Sequence, residues 1–144
     1  MQKERYKLIA SVYLLFIKDG KILLLRRANT GYEDGNYSVV AGHVDEHESL
    51  THAAIREAKE ESGVTIQPDD LNVTTTMHRR ELDGRLDFFF AVKKWAGELA
   101  NKEPNKCDDL SWFPLNNLPS NTIPYIKQAI ECSQKGIIYS EFGW

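Results

Sequence analysis

The chain has 144 residues, 42% of them hydrophobic and 27% charged, with a formal net charge of −3. That length suits one domain, residues 1–144, with a real core. Mixed, slightly acidic charge with no basic run or basic-aromatic stripe argues against binding a nucleic-acid polymer. No apolar run approaches membrane-spanning length. Met1-Gln2-Lys3-Glu4-Arg5 leads into an alternating segment, unlike a signal-peptide core. Cys107 and Cys132 are too few for a disulfide scaffold and do not form a metal-type pair, so a reducing cytoplasm is the expected location.

In chain order, Leu8 to Ile17 is rich in β-branched and aromatic residues and reads as a strand. Asp19-Gly20 is a strong hairpin turn, and Lys21 to Arg27 is its partner strand, apolar almost throughout and expected to be central. Ala28 to Asn36 is a loop over the sheet, and Tyr37 to Ala41 a short strand. Ser49 is a candidate N-cap for a helix that ends near Ser62. Thr65 to Asp70 is a turn. Leu71 to Arg79 and Arg85 to Trp95 form a second hairpin around Asp83-Gly84. Gly97 to Asp108 is a polar loop, and Leu110 to Phe113 a short strand. Ile123 to Ser133 carries apolar residues at helical spacing. The tail from Ile137 to Trp144 ends aromatic and is expected to pack back on the body. Strands and helices interleaved without a βαβ repeat point to a mixed sheet between helices.

The informative segment is Gly42 to Val64. Glu57, Glu60 and Glu61 stand at i, i+3 and i+4, followed by Gly63 where a helix would stop. At roughly 100° per residue they share a side with Leu50, Ala53, Ala54 and Ala58. An ordinary surface helix turns its apolar stripe inward and its acids outward. Here the acids continue the inward stripe. Carboxylates about 6 Å apart repel by roughly 3 kcal/mol per pair at an effective dielectric near 20. Such an arrangement calls for a cation, and oxygen-only ligands favour a hard one, Mg²⁺ or Mn²⁺.

This spacing resembles the box of the Nudix hydrolase family. Gly42, Glu48, Arg56, Glu57, Glu60, Glu61 and Gly63 fill every fixed position, with Ala58 and Val64 in the apolar slots. Seven such identities recur by chance about once in 10⁸ start positions at ordinary residue frequencies. The resemblance implies an α/β/α sandwich with a mixed β-sheet between helices. It also implies hydrolysis of a nucleoside diphosphate linked to another moiety. It assigns Glu57, Glu60 and Glu61 to the metal, with Glu61 or a nearby carboxylate taking the proton of the attacking water. Arg56 would hold the carboxylates, Gly42 would let a backbone carbonyl approach the metal, and Glu48 would orient the others. His43 is the one histidine that the motif places near the site.

Outside the box, Trp95-Ala96-Gly97-Glu98 with Lys102-Glu103 resembles MutT-like nucleoside triphosphate pyrophosphohydrolases, which implies Glu103 as a further metal ligand. The loop-acid reading of Glu103 stands beside it. Leu118 to Asn121 resembles the segment that presents an Asn to the base, and an amide suits a base edge. The alternative is that Asn121 caps the C-terminal helix. Of Arg26 and Arg27, strand alternation aims only one inward, and Arg27 is favoured for substrate phosphate. Many relatives carry Pro-Gly-Gly where this chain has Val40-Ala41-Gly42, which bears on the shape of the substrate loop. Arg79 to Leu82 contains neither the Pro nor the Tyr that marks ADP-ribose and diadenosine-polyphosphate subfamilies. The expected reaction is metal-dependent hydrolysis of a nucleoside triphosphate, damaged or non-standard ones included, to monophosphate and pyrophosphate. ADP-ribose or another nucleoside diphosphate derivative is the alternative substrate, and a non-catalytic nucleotide-binding module the remaining one. The expected partner is a small nucleotide, with a homodimer left open.

Overall fold

A computed structural model describes residues 3–144, so Met1 and Gln2, at the head of the segment read as no signal peptide, lie outside the described residues. Strand β1 (Ile9–Lys18) turns at Asp19-Gly20 into β2 (Lys21–Arg27). Both turn residues have positive φ, 52° and 74°, the backbone that a two-residue hairpin turn requires. The hairpin separates almost at once. Only Ile17↔Ile22 and Lys18↔Lys21 pair, and β2 continues against β7 (Cys107–Pro114) along its whole length. β2 is central as expected, its Ile22 to Leu25 buried, with β1 on one edge and β7 on the other. β1 is central beside it, pairing in parallel with β6 (Gly84–Val92) and antiparallel with β4 (Val40–His43).

The segment from Tyr37 to Ala41 is two pieces, β3 (Tyr37–Ser38) on β2 and β4 on β1. Helix α1 spans Leu50–Ser62 and ends on Gly63 with φ 80°, and Ser49 Oγ accepts the His52 N–H at 3.1 Å. A 3₁₀ turn (Pro68–Asp70) leads into β5 (Leu71–Arg80), the antiparallel neighbour of β6. Helix α2 spans Pro124–Lys135. The tail returns as β8 (Tyr139–Phe142), parallel to β5. The eight strands form one mixed sheet, ordered β3-β2-β1-β6-β5-β8, with β4 on β1 and β7 on β2.

Strand alternation divides the core between the two sheet faces. Val12, Leu14 and Phe16 of β1 pack with Ala53, Ala54 and Ala58 of α1. Tyr13 and Leu15 pack with Tyr125, Ile126, Ala129 and Ile130 of α2. Small residues on α1 let it lie close to the sheet, which sets its carboxylates beside β4. No helix among the described residues is long and apolar enough to cross a membrane.

Candidate functional site

Helix α1 and the loop before it are joined by one guanidinium. Arg56 donates from Nε and Nη2 to the two Glu48 oxygens at 3.0 and 2.6 Å, and from Nη1 to Glu57 at 2.8 Å and Glu60 at 3.3 Å. Its Nη2 also reaches the His43 carbonyl at 3.1 Å. A planar fork that engages a carboxylate bidentately holds it in one orientation. Glu48 further accepts the Asp45 N–H at 2.8 Å. With Arg56 and this N–H as partners, its pKa falls to about 2. Glu48 is therefore committed to Arg56, the orienting part expected of it.

Glu57 and Glu61 face inward, whereas the Glu60 side chain is 55% exposed at the rim. The expectation that all three acids continue the buried stripe holds for two of them. Burial, and then the neighbouring Glu57 charge, push the Glu61 carboxyl up to about 9, against the Ala41 N–H that it accepts at 3.2 Å. Burial also raises Glu57, against the pull of Arg56. Two inward carboxyls, both raised by burial, form a site short of positive charge.

Gly42 is fixed by the same crowding. A Cβ there would come within 2.1 Å of the Glu57 carboxyl carbon, so any side chain at this position would push the Glu57 carboxyl aside. From the far side, Glu103 of the loop before β7 enters the same cleft of about 430 Å³, together with Lys106 and Asn101. Asn101 shapes that loop, accepting the Glu103 N–H at 3.0 Å and donating to the Cys107 carbonyl at 2.6 Å. Lys106 stands 3.6 Å from Glu103. Neither Asn101 nor Lys106 was distinguishable by sequence from other polar loop residues.

Among the described residues, no three His, Cys, Asp or Glu side chains converge closely enough to hold an ion as they stand. The reason is local: Arg56 draws Glu57 and Glu60 to itself, while Glu61 turns to the Ala41 N–H. The donor chemistry nonetheless fits a hard divalent cation. Four carboxylates (Glu57, Glu60, Glu61 and Glu103) line one cleft beside Gly42, and side-chain rotation alone would redirect the rim acid Glu60.

The model of the NUDIX domain family matches residues 5–131. The chain belongs to this family. Among curated Nudix relatives, the NAD-capped RNA hydrolase NudC of Stutzerimonas stutzeri is 28% identical over 81% of this chain and 41% of its own length. The ADP-ribose pyrophosphatase of Methanocaldococcus jannaschii is 32% identical over 71% of this chain and 59% of its own. The chain thus spans about half the length of these relatives. The crystal structure of a MutT NUDIX hydrolase from Burkholderia pseudomallei superposes with a TM-score of 0.80 at 23% identity, covering 87% of this chain and 97% of that one. That likeness establishes the Nudix α/β/α sandwich fold.

The remaining sequence candidates divide. Arg27 and His43 line the cleft. Arg27 donates to the Tyr32 carbonyl and to Thr30 Oγ, and pairs with no carboxylate among the described residues. Arg26 is bound to Asp108 at 2.7 Å. Asn121 lies elsewhere. Its amide is exposed and donates to the Gly35 carbonyl at 2.8 Å, tying down the loop before β3. It does not cap α2 either, since Ile123 occupies the N-cap without a side-chain bond and Pro124 follows.

Proposed function

We propose that this single-domain Nudix chain is a metal-dependent hydrolase that cleaves a nucleoside triphosphate to the monophosphate and pyrophosphate. The observation that supports this reading is the gathering of Glu57, Glu60, Glu61 and Glu103 around one cleft, with Arg56 and Glu48 bracing the helix acids. Held by those carboxylates, Mg²⁺ (or Mn²⁺ in its place) supplies neutralisation of the phosphoryl oxygens and acidification of water.

The chain's own groups do the rest. Arg27, without a carboxylate partner, binds a phosphate oxygen at the mouth. His43 lines the path between the reacting phosphates and the rest of the nucleotide. Glu61 takes the proton of the attacking water as a new P–O bond forms and the anhydride P–O bond breaks, with pyrophosphate leaving. Arg56, fixed by its fork on Glu48, keeps Glu57 from swinging away through Nη1.

A second reading, ADP-ribose or another nucleoside diphosphate derivative as substrate, is favoured by the 32% identity to an ADP-ribose pyrophosphatase. Both readings use the same carboxylates. Product analysis separates them. With Mg²⁺ and a panel of nucleotides, the first reading expects monophosphate plus pyrophosphate from triphosphates. Cleavage of ADP-ribose to AMP and ribose 5-phosphate, with triphosphates inert, would decide for the second. Inertness towards both classes would refute each of them and leave a nucleotide-binding module.

A further inference from the structure

A second cleft, of about 670 Å³, opens on the side of the sheet that α2 covers. It meets the first at Arg27, Ala41, Gly42 and His43, which line both. A nucleotide with its phosphates at the helix acids would therefore extend into it.

The floor of this cleft is built from polar groups on buried strand positions. Arg79 of β5 is 2% exposed. Its Nε donates to Asp87 Oδ2 at 2.7 Å, and its guanidinium lies 3.8 Å from the Tyr125 ring centroid. Tyr13 donates to the other Asp87 oxygen at 3.1 Å. These partners hold the guanidinium in one position. Even so, Arg79 Nη1 makes no hydrogen bond, having only an ion-pair contact with Glu81 Oε2 at 3.3 Å. Ser11, 3% exposed on β1, lines the same cleft, and its Oγ also has no partner. Buried polar atoms that make no hydrogen bond are costly and uncommon in native structures. Two beside one cleft point to a ligand that supplies the acceptors.

Charge limits what that ligand is. Arg79 is balanced by Asp87 and Glu81, and Arg85 by Asp83 at 2.8 Å. With Arg79 and Arg85 already paired, the part of the cleft beyond Arg27 offers no excess positive charge for a further phosphate. It suits a neutral, hydrogen-bonding ring. Tyr32 supplies an aromatic wall, its hydroxyl donating to Glu81 at 2.7 Å and its ring facing the Arg27 guanidinium at 5.4 Å.

We infer that this cleft holds the nucleobase, with Arg79 and Ser11 donating to an oxo edge and Glu81 accepting the adjacent N–H. The inference rests on the nucleotide reading above and replaces Asn121 as the source of base specificity. A guanidinium has no acceptor. An exocyclic amino group pointing at the floor would meet only donors from Arg79. A 6-oxopurine or a 4-oxopyrimidine presents a carbonyl there with an N–H beside it, so guanine, uracil and thymine fit better than adenine and cytosine.

Calorimetric binding of the α,β-methylene analogues of GTP, UTP, ATP and CTP, with inorganic tripolyphosphate as the base-free probe and Mg²⁺ present, tests this. The guanine and uracil analogues should bind roughly 5- to 150-fold tighter than the adenine and cytosine ones, the range for one well-placed base contact pair. Ser11→Ala and Glu81→Gln should each narrow that spread. Ser11→Ala should do so without lowering the melting temperature, because the hydroxyl has no partner to lose. Binding of all four analogues no tighter than tripolyphosphate would overturn the inference, as would tighter adenine and cytosine binding or a spread untouched by both variants. Base-selective binding with no product released from the corresponding hydrolysable nucleotides would refute the hydrolytic reading and leave the base cleft standing. Hydrolysis of all bases at equal kcat/KM with no binding spread would refute the base cleft alone.

Discussion

Glu61 stands where its charge is least welcome, buried and next to Glu57, with one backbone N–H for support. In the folded protein the carboxyl keeps its proton to about pH 9, whereas in the unfolded chain it loses it near pH 4.5. Between those values the folded state binds more protons, so stability falls as pH rises. In chelator, denaturation curves should show this decline from about pH 5 to 9, at up to about 1.4 kcal/mol per pH unit, and Glu61→Gln should flatten it. An unchanged slope in the variant would place the titrating group elsewhere. Mg²⁺ added near pH 7.5 should release protons, which a weakly buffered titration reads directly. Arg56 differs in kind, because its work is geometric. Arg56→Lys keeps the charge but loses the fork on Glu48 and the bond to Glu57. It should cost roughly 1.5–3 kcal/mol in stability and lower kcat more than it raises KM. A variant with wild-type kcat would show that Arg56 does not orient the carboxylates.

At the scale of elements, α1 was legible almost to the residue, because its signals are local: the Ser49 cap, the period of Ala53, Ala54 and Ala58, and the Gly63 stop. The strand interiors were legible for the same reason. Pairing was not. The Asp19-Gly20 turn is a true hairpin, but nothing local says that β2 leaves β1 after two pairs for β7, far along the chain. The tail was expected to pack back, but its role as a parallel strand on β5 depends on distant contacts. The candidate site divides in the same way. The box residues are set by one helix and its entry loop, whereas the Arg79–Asp87 pair joins two strands. Its sequence signal was present: Arg79 falls on the same strand face as buried Met77, a charge on an inward position. Asn121 shows the reverse case, a residue chosen by resemblance that holds Gly35 instead. Asn121→Ala should cost about 0.5–1.5 kcal/mol of stability and leave the ranking of nucleotides unchanged. A changed ranking at full stability would return Asn121 to the site.

Over the whole molecule, two clefts share a wall at Arg27, Gly42 and His43. One side is rich in carboxylates, and the other is charge-paired and aromatic. The sheet separates the two helices, so each cleft has its own core behind it. Arg27 sits at the junction, where substrate phosphates would pass. Arg27→Ala should raise KM for a triphosphate several-fold with a smaller change in kcat, as for a contact equal in ground and transition states. A kcat loss with unchanged KM would place Arg27 in the transition state alone.

The central claim, that the acids of α1 gather a divalent cation for anhydride hydrolysis, is tested most directly by following pyrophosphate release while Mg²⁺ is titrated into chelated enzyme. Parallel measurements use Glu57→Gln and Glu61→Gln. The account predicts no turnover in chelator and saturable recovery with Mg²⁺, with a melting temperature that rises with bound metal. It also predicts severe loss of turnover in both variants, each of which remains folded. Undiminished hydrolysis in excess chelator, or wild-type rates in both variants, would contradict it.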